Sequence, residues 1–207
     1  TSNIAVACAK VGAVIVYISS CGVFDGRKAI PYNEFDTPHP LTHYHNSKYQ
    51  GELYVRDFCA MHFIIRPGWL FGGSAIHKKN FVAARAQEAS NKKSIVSAND
   101  KLGSPTYTRD LAEKLLELIA TNAYGVYHVS NSGIASRYEY VSEIIRQLGL
   151  STTVTPVSSD YFSRAAPVPS SEALDNMVLR LRGFPPLRPW KDALADYIHN
   201  YFLIEAS

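Results

Sequence analysis

Two hydrophobic periodicities alternate along the chain. Residues 13–18 read Ala-Val-Ile-Val-Tyr-Ile with no polar break, a continuous β-branched run that predicts a strand buried on both faces of a parallel sheet. The Ala-rich segment 4–10 before it predicts a helix, with Ser2 or Asn3 as cap and Gly12 as stop. Residues 43–59 then place Tyr44, Lys48, Glu52, Leu53 and Val55 at helical spacings. Residues 61–67, Met-His-Phe-Ile-Ile-Arg-Pro, form a second buried run ended by Pro67 and Gly68. Strand, helix, strand in this order is a βαβ unit, and the fold class it predicts is α/β.

Beyond Gly72 the pattern predicts a helix over 80–89, a short strand over 94–97 and a strongly amphipathic helix over 111–120. Leu111, Leu115, Leu116, Leu118 and Ile119 make the apolar stripe of that helix, with Thr108 as its cap. A strand over 125–130 and a helix over 138–148 follow. The remainder carries Pro156, Pro167, Pro169, Pro185, Pro186 and Pro189 and closes with a helix over 190–202, which Trp190 anchors.

The segment after the first strand is a long loop holding Pro31, Pro38 and Pro40. Loops beyond about 12 residues are usually functional or disordered. This one leaves the carboxyl end of a strand, where open parallel sheets bind ligands. Glu34, Asp36 and Asp25 read as its caps and turn formers. On the helix that follows, Tyr44 and Lys48 are four residues apart and share a face. With Ser20 from the strand end they supply the parts that carbonyl reduction needs. A phenol is a weak acid, with an ordinary pKa of about 10. An adjacent ammonium favours its ionised form and lowers that value, and a serine hydroxyl can orient the carbonyl.

Ser20 followed by Tyr44-x-x-x-Lys48 resembles the catalytic set of the short-chain dehydrogenase/reductase superfamily, in its extended branch. The chain is most similar to the dTDP-4-dehydrorhamnose reductase family. The likeness runs through Tyr17-Ile18-Ser19-Ser20, Val23-Phe24-Asp25-Gly26, Pro31-Tyr32-Asn33-Glu34, Ser47-Lys48, Gly51-Glu52, Arg66, Trp69 and Gly72. It continues through Asn80-Phe81, Gly103-Ser104-Pro105-Thr106-Tyr107, Asp110-Leu111-Ala112, Leu174-Asp175-Asn176 and Trp190-Lys191-Asp192-Ala193-Leu194.

The resemblance implies a partial Rossmann-type parallel sheet with helices and a smaller mixed α/β substrate-binding domain. Residues 1–72, with 100–130 returning to them, would be the carboxyl-terminal half of the dinucleotide domain, and 73–207 mainly the substrate domain. It implies NAD(P)H-dependent reduction of the 4-keto group of a dTDP-linked 6-deoxyhexulose, toward dTDP-L-rhamnose, with NADPH or NADH as cofactor and a nucleotide sugar as substrate. A second copy, in a homodimer, is the candidate protein partner.

By that resemblance Ser20, Tyr44 and Lys48 are catalytic, with Tyr44 the general acid. Tyr44, Lys48, Ser19, Arg66, Pro67 and Gly68 lie on the cofactor side. Cys21, Val23, Phe24, Trp69, Asn80, Gly103, Pro105 and Thr106 lie on the substrate side. Three departures stand out. The family commonly has Asp-Tyr where this chain has Cys21-Gly22, and Gly where it has His45. No GxxGxxG phosphate loop occurs. The family's opening half, about two βαβ units of roughly 30 or more residues each, is expected to be missing, leaving an exposed sheet edge. The alternative reading of the same residues is a non-catalytic or regulatory relative, or another nucleotide-sugar reductase or epimerase.

Composition narrows the remaining classes. With 46% apolar and 19% charged residues the chain is ordinary globular protein. The net charge of +3 comes from 21 Lys and Arg scattered along the sequence, without the basic stripe of a nucleic-acid binder. The longest apolar run, 11–18, is too short for a membrane span. Three cysteines with no CxxC pair suit a reducing cytoplasm, and Cys21 reads as a small buried filler. His43, His45 and His62 do not make a metal set.

Overall fold

The computed structural model describes residues 1–74, 77, 79–164 and 166–202. Helix α1 (Ser2–Val11) leads into β1 (Ile15–Ile18), a short 3-10 turn (Cys21–Val23), α2 (His43–Phe58) and β2 (His62–Pro67). Then come β3 (Trp69–Phe71), α3 (Phe81–Ser90), β4 (Ser94–Ala98), β5 (Leu102–Gly103) and β6 (Pro105–Tyr107). After α4 (Thr108–Ile119), β7 (Gly125–Val129), β8 (Ala135–Ser136), α5 (Arg137–Gln147) and β9 (Thr153–Val157) the chain ends with β10 (Ser171–Glu172), α6 (Met177–Leu181) and α7 (Trp190–Tyr197). A π-helical turn, Ile198–Phe202, extends α7.

The first layer is a parallel sheet in the order β1-β2-β7. Ile18 lies opposite Ile65 and Pro67 opposite Val129. Alternation along β2 sends Ile64 to one face, with Ala5, Ile15, Val55 and Cys59 from α1, β1 and α2. Phe63 and Ile65 go to the other, with Leu111 and Leu118 of α4, Tyr127 and Val129 of β7, and Leu179 of α6. Burial on both faces is what the unbroken apolar run of β2 requires. Strand β1 pairs only with β2 among the described residues, and Val16 on it is exposed.

The second part holds three small sheets, β10-β5-β8, β3-β6 and β4-β9. Its core is aromatic. Phe24, Trp69, Phe71, Tyr107, Tyr140, Trp190 and Tyr197 are buried together, with Phe71 stacked on Tyr107 at 5.4 Å and Tyr140 edge-on to Trp190 at 5.7 Å. The long loop is sewn to this part, since Tyr32 bridges Leu174 and stacks on Phe24 at 4.3 Å.

Several caps differ from expectation. Neither Ser2 nor Asn3 caps α1, because the helix already starts at Ser2, with Thr1 at its N-cap and no side-chain bond there. Thr108 does not cap α4 either. Strand β6 runs straight into the helix, so Tyr107 takes the N-cap position and Thr108 is already helical. Helix α5 starts at Arg137, set by a capping box between Ser136 and Glu139. Strands of two or three residues, such as β5, β8 and β10, carry too few positions for a period to be read.

Candidate active site

The site forms where β1 ends. Thr42 caps α2 by accepting the His45 N–H at 3.2 Å, which aims the first turns of the helix at the turn that follows β1. The Lys48 ammonium donates to Ile18 O, the last carbonyl of β1, at 2.9 Å, and lies 5.5 Å from the centroid of the Tyr17 ring. One turn earlier, Tyr44 is 59% exposed, and its hydroxyl makes no hydrogen bond among the described residues. Ser20 Oγ accepts the Gly22 N–H at 3.1 Å, capping the 3-10 turn. That bond fixes the serine rotamer while leaving its O–H as a donor. Lys48 and Ser20 thus lie at the carboxyl end of β1, and Tyr44 precedes Lys48 by one helical turn. Tyr44 and His45 line a cleft of about 800 Å³ with Leu41, Pro167 and Val168 on its walls.

One layer beneath, the polar groups are paired. Glu52, with no exposed surface, accepts from Arg66 Nε at 2.9 Å and from Arg66 Nη2 at 2.6 Å, and from Ser19 Oγ at 2.5 Å. A bidentate Arg–carboxylate pair is the strongest geometry open to these groups. Ser19 and Arg66, expected on the cofactor side, hold α2 to the sheet through it. Pro67 and Gly68 are buried behind the same edge.

Gly22 and His45 fit each other. A Cβ on Gly22 would meet the His45 ring at 2.1 Å, so the imidazole from α2 fills the space a side chain at 22 would take. The His45 ring lies 5.3 Å from that of Tyr44, and its Nδ1 is buried without a partner among the described residues. The two departures at 22 and 45 are one packing event.

Of the residues expected on the substrate side, Val23, Phe24 and Thr106 are fully buried. Asn80 caps α3 through Ala83 N and donates to Tyr197 Oη at 2.7 Å. Pro105 is buried in β6. Trp69 donates its indole N–H to Glu172 Oε2 at 2.8 Å, and a Cβ on Gly103 would meet its ring at 2.2 Å, so only glycine lets this strand approach so closely. Cys21 Sγ lies 3.7 Å from the other Glu172 oxygen. Burial, then the Glu172 charge, pushes the Cys21 thiol well above its ordinary range, which suits a packed filler and not a nucleophile.

Two residues of this cluster, Glu172 and Arg137, carry no signal in the sequence pattern. The Arg137 guanidinium lies 3.4 Å from the Trp69 ring centroid. The rings it lies against, Trp69 of β3 and Phe81 of α3, come from distant stretches of the chain, so nothing local points to it.

Behind the loop, His128 is fully buried and its Nδ1 is 3.0 Å from Tyr32 O. Burial, helped by the nearby Arg66 charge, lowers its pKa to about 3. Glu34 caps rather than catalyses, accepting from His128 N at 2.9 Å and Val178 N at 3.2 Å.

Residues 1–203 match the family model described as the RmlD substrate binding domain. Among curated proteins, the chain is 36% identical over 191 residues to the spore coat polysaccharide biosynthesis protein SpsK of Bacillus subtilis, covering 92% of this chain and 66% of that protein. It is 36% identical over 199 residues to a dTDP-4-dehydrorhamnose reductase of Mycobacterium tuberculosis, covering 93% of this chain and 65% of that protein. The chain thus spans just under two thirds of the length of these relatives. Among solved structures, the dTDP-4-dehydrorhamnose reductase of Clostridium acetobutylicum superposes with a TM-score of 0.91 at 36% identity, over 95% of this chain and 69% of that one. The Bacillus anthracis reductase in complex with NADP gives 0.91 at 37%, over 96% and 70%. With a family model matched across nearly its full length and curated relatives 36% identical over more than nine tenths of it, the chain belongs to the dTDP-4-dehydrorhamnose reductase family.

Proposed function

We propose that the protein carrying this chain reduces the 4-keto group of a dTDP-linked 6-deoxyhexulose, yielding the 4-hydroxy sugar, dTDP-L-rhamnose in the family's own reaction. The observation that carries the reading is the Tyr44 hydroxyl, without a hydrogen bond among the described residues and one helical turn from an ammonium held at Ile18 O. NADPH or NADH is the proposed cofactor, and the NADP complex of the B. anthracis relative supports it. An ammonium has three donors; Lys48 gives one to Ile18 O, and the others fit a ribose hydroxyl. Tyr44, the second residue assigned to that side, is open to it. When bound, the nicotinamide supplies hydride to the carbonyl carbon. Tyr44 donates the proton to the carbonyl oxygen, Ser20 orients that oxygen with its O–H, and the Lys48 charge stabilises the phenolate left behind.

The division into residues 1–72 with 100–130, and 73–207, is proposed as cofactor half and substrate half. A homodimer and a cytoplasmic location are further proposals, the latter supported by three free cysteines, Cys8, Cys21 and Cys59. Among the described residues, no helix is long and apolar enough to cross a membrane.

The test is NADPH oxidation with dTDP-4-dehydrorhamnose as substrate, with the product identified by mass and by its sugar stereochemistry. Turnover that Tyr44→Phe removes supports the reading. Tight NADPH binding with no turnover of any dTDP-keto sugar would sink it.

A further inference from the structure

Several arginines are paired with carboxylates. Arg66 holds Glu52, Arg188 holds Asp110 and Asp196, Arg180 holds Asp175 and Arg146 holds Glu143. Arg137 differs. It is only partly buried, and its guanidinium donates no hydrogen bond among the described residues, although it lies 3.4 Å from the Trp69 ring centroid and 5.4 Å from that of Phe81. Glu172, whose charge acts on Arg137, makes its hydrogen bonds elsewhere, to the Trp69 indole N–H and the Cys21 thiol.

Stacking on an aromatic ring occupies the face of a guanidinium, whereas its five N–H groups radiate in the plane. The edge of Arg137 is therefore left for an acceptor. The support beneath it is rigid, because Trp69 is held by Glu172 and by the close approach of Gly103. Burial lowers the Arg137 pKa, the Glu172 charge opposes that, and Arg164 adds a second positive charge nearby.

The position is beside the reacting residues. Cys21 follows Ser20 directly and reaches Glu172, which reaches Trp69. On the other side, Arg137 N donates to Lys101 O at 3.0 Å, and the Lys101 ammonium donates to Val168 O at 3.1 Å, on the wall of the Tyr44 cleft.

We propose that Arg137, pre-set on Trp69, is the contact that takes an oxyanion of the substrate, through the planar fork of N–H groups that suits phosphate or carboxylate oxygens. This rests on the nucleotide-sugar reading above. The oxyanion comes from the nucleoside diphosphate or from a carboxylate on the sugar.

Trp69, one of two tryptophans, reports directly on its stacked partner, so the experiment is a fluorescence titration of the protein with dTDP, thymidine and glucuronate. Wild type is compared with Arg137→Met, which keeps the apolar stem, and Arg137→Lys, which keeps the charge without the fork. The expected result is dTDP binding weakened at least tenfold in Arg137→Met and partly recovered in Arg137→Lys, with thymidine unaffected. Glucuronate binding lost in Arg137→Met would assign the oxyanion to the sugar instead. Equal dTDP and glucuronate affinities in wild type and Arg137→Met, with folding unchanged, would overturn the proposal while leaving the reductase reading to its own turnover assay. A wild-type protein that turns over the keto sugar with no Trp69 response to either anion would overturn it too.

Discussion

Helix α2 carries two polar layers, and they are built in opposite ways. The outer one, Tyr44 and Lys48, has a hydroxyl with no hydrogen bond among the described residues and an ammonium with donors to spare. The inner one, Glu52 two turns on from Tyr44, is closed by Arg66 and Ser19 with short bonds in a site without solvent. Chemistry needs groups whose bonds are still unmade, and stability needs buried groups whose bonds are complete. One helix serves both because residues four apart share its face, with Tyr44 exposed near its start and Glu52 buried two turns on.

The contrast is sharpest if the two layers fail differently. Tyr44→Phe should lower turnover by about 10²–10⁴-fold, the usual weight of a general acid, with the melting temperature unchanged, as read by NADPH oxidation and calorimetry. A large stability loss would mean that the outer layer is structural after all. Glu52→Gln leaves the Arg66 guanidinium buried without a counter-charge and should cost about 3–5 kcal/mol in denaturant unfolding. Combining Glu52→Leu with Arg66→Met should cost less than either change alone, since no charge remains stranded.

Beside the Tyr44 ring sits the His45–Gly22 contact. Gly22→Ala must displace the ring that lies 2.1 Å from the new Cβ and should cost about 1–3 kcal/mol, as overpacking does. Adding His45→Gly should recover most of that loss in a double-mutant cycle. Additive effects would show that the two residues are independent.

A last effect appears only in acid and concerns His128, behind the loop. Its folded pKa is held at about 3 against an ordinary 6.5, so between those values the unfolded chain binds a proton that the folded chain refuses. This part of the stability is present above about pH 6.5 and is lost as the pH falls toward 3, at up to about 1.4 kcal/mol per pH unit. His128→Gln should flatten that part of the curve in urea melts run at stepped pH.

Much of the architecture was legible because it is written in contiguous residues. The apolar runs of β1 and β2, and the helix over 43–59 observed as His43–Phe58, depend on local periodicity alone. So does the shared face of Tyr44 and Lys48. Strand β1, expected buried on both faces, nonetheless has Val16 exposed, because among the described residues it pairs on one side only. The helix starts were less legible. Thr108 looks like a cap, yet a helix that continues straight from β6 needs none there. Glu172 was illegible because β10 becomes a strand only by pairing with β5, and Arg137 because the rings it lies against, Trp69 and Phe81, are distant in the chain.

The adjacent serines separate the two kinds of information. From the sequence alone came the α/β order, the strand end that carries Ser19 and Ser20, and the Tyr44 and Lys48 pair, all set by neighbours within a few residues. Which serine stays available was a tertiary matter. Ser19 is committed to Glu52, 33 residues away, whereas Ser20 is turned to the 3-10 turn at the cleft. The same holds for Arg66, paired with Glu52, and Arg137, left open because Glu172 is engaged by Trp69, 103 residues distant in the chain. A polar group is reactive or structural according to whether folding brings it a partner, and partners that far apart in sequence leave no local trace.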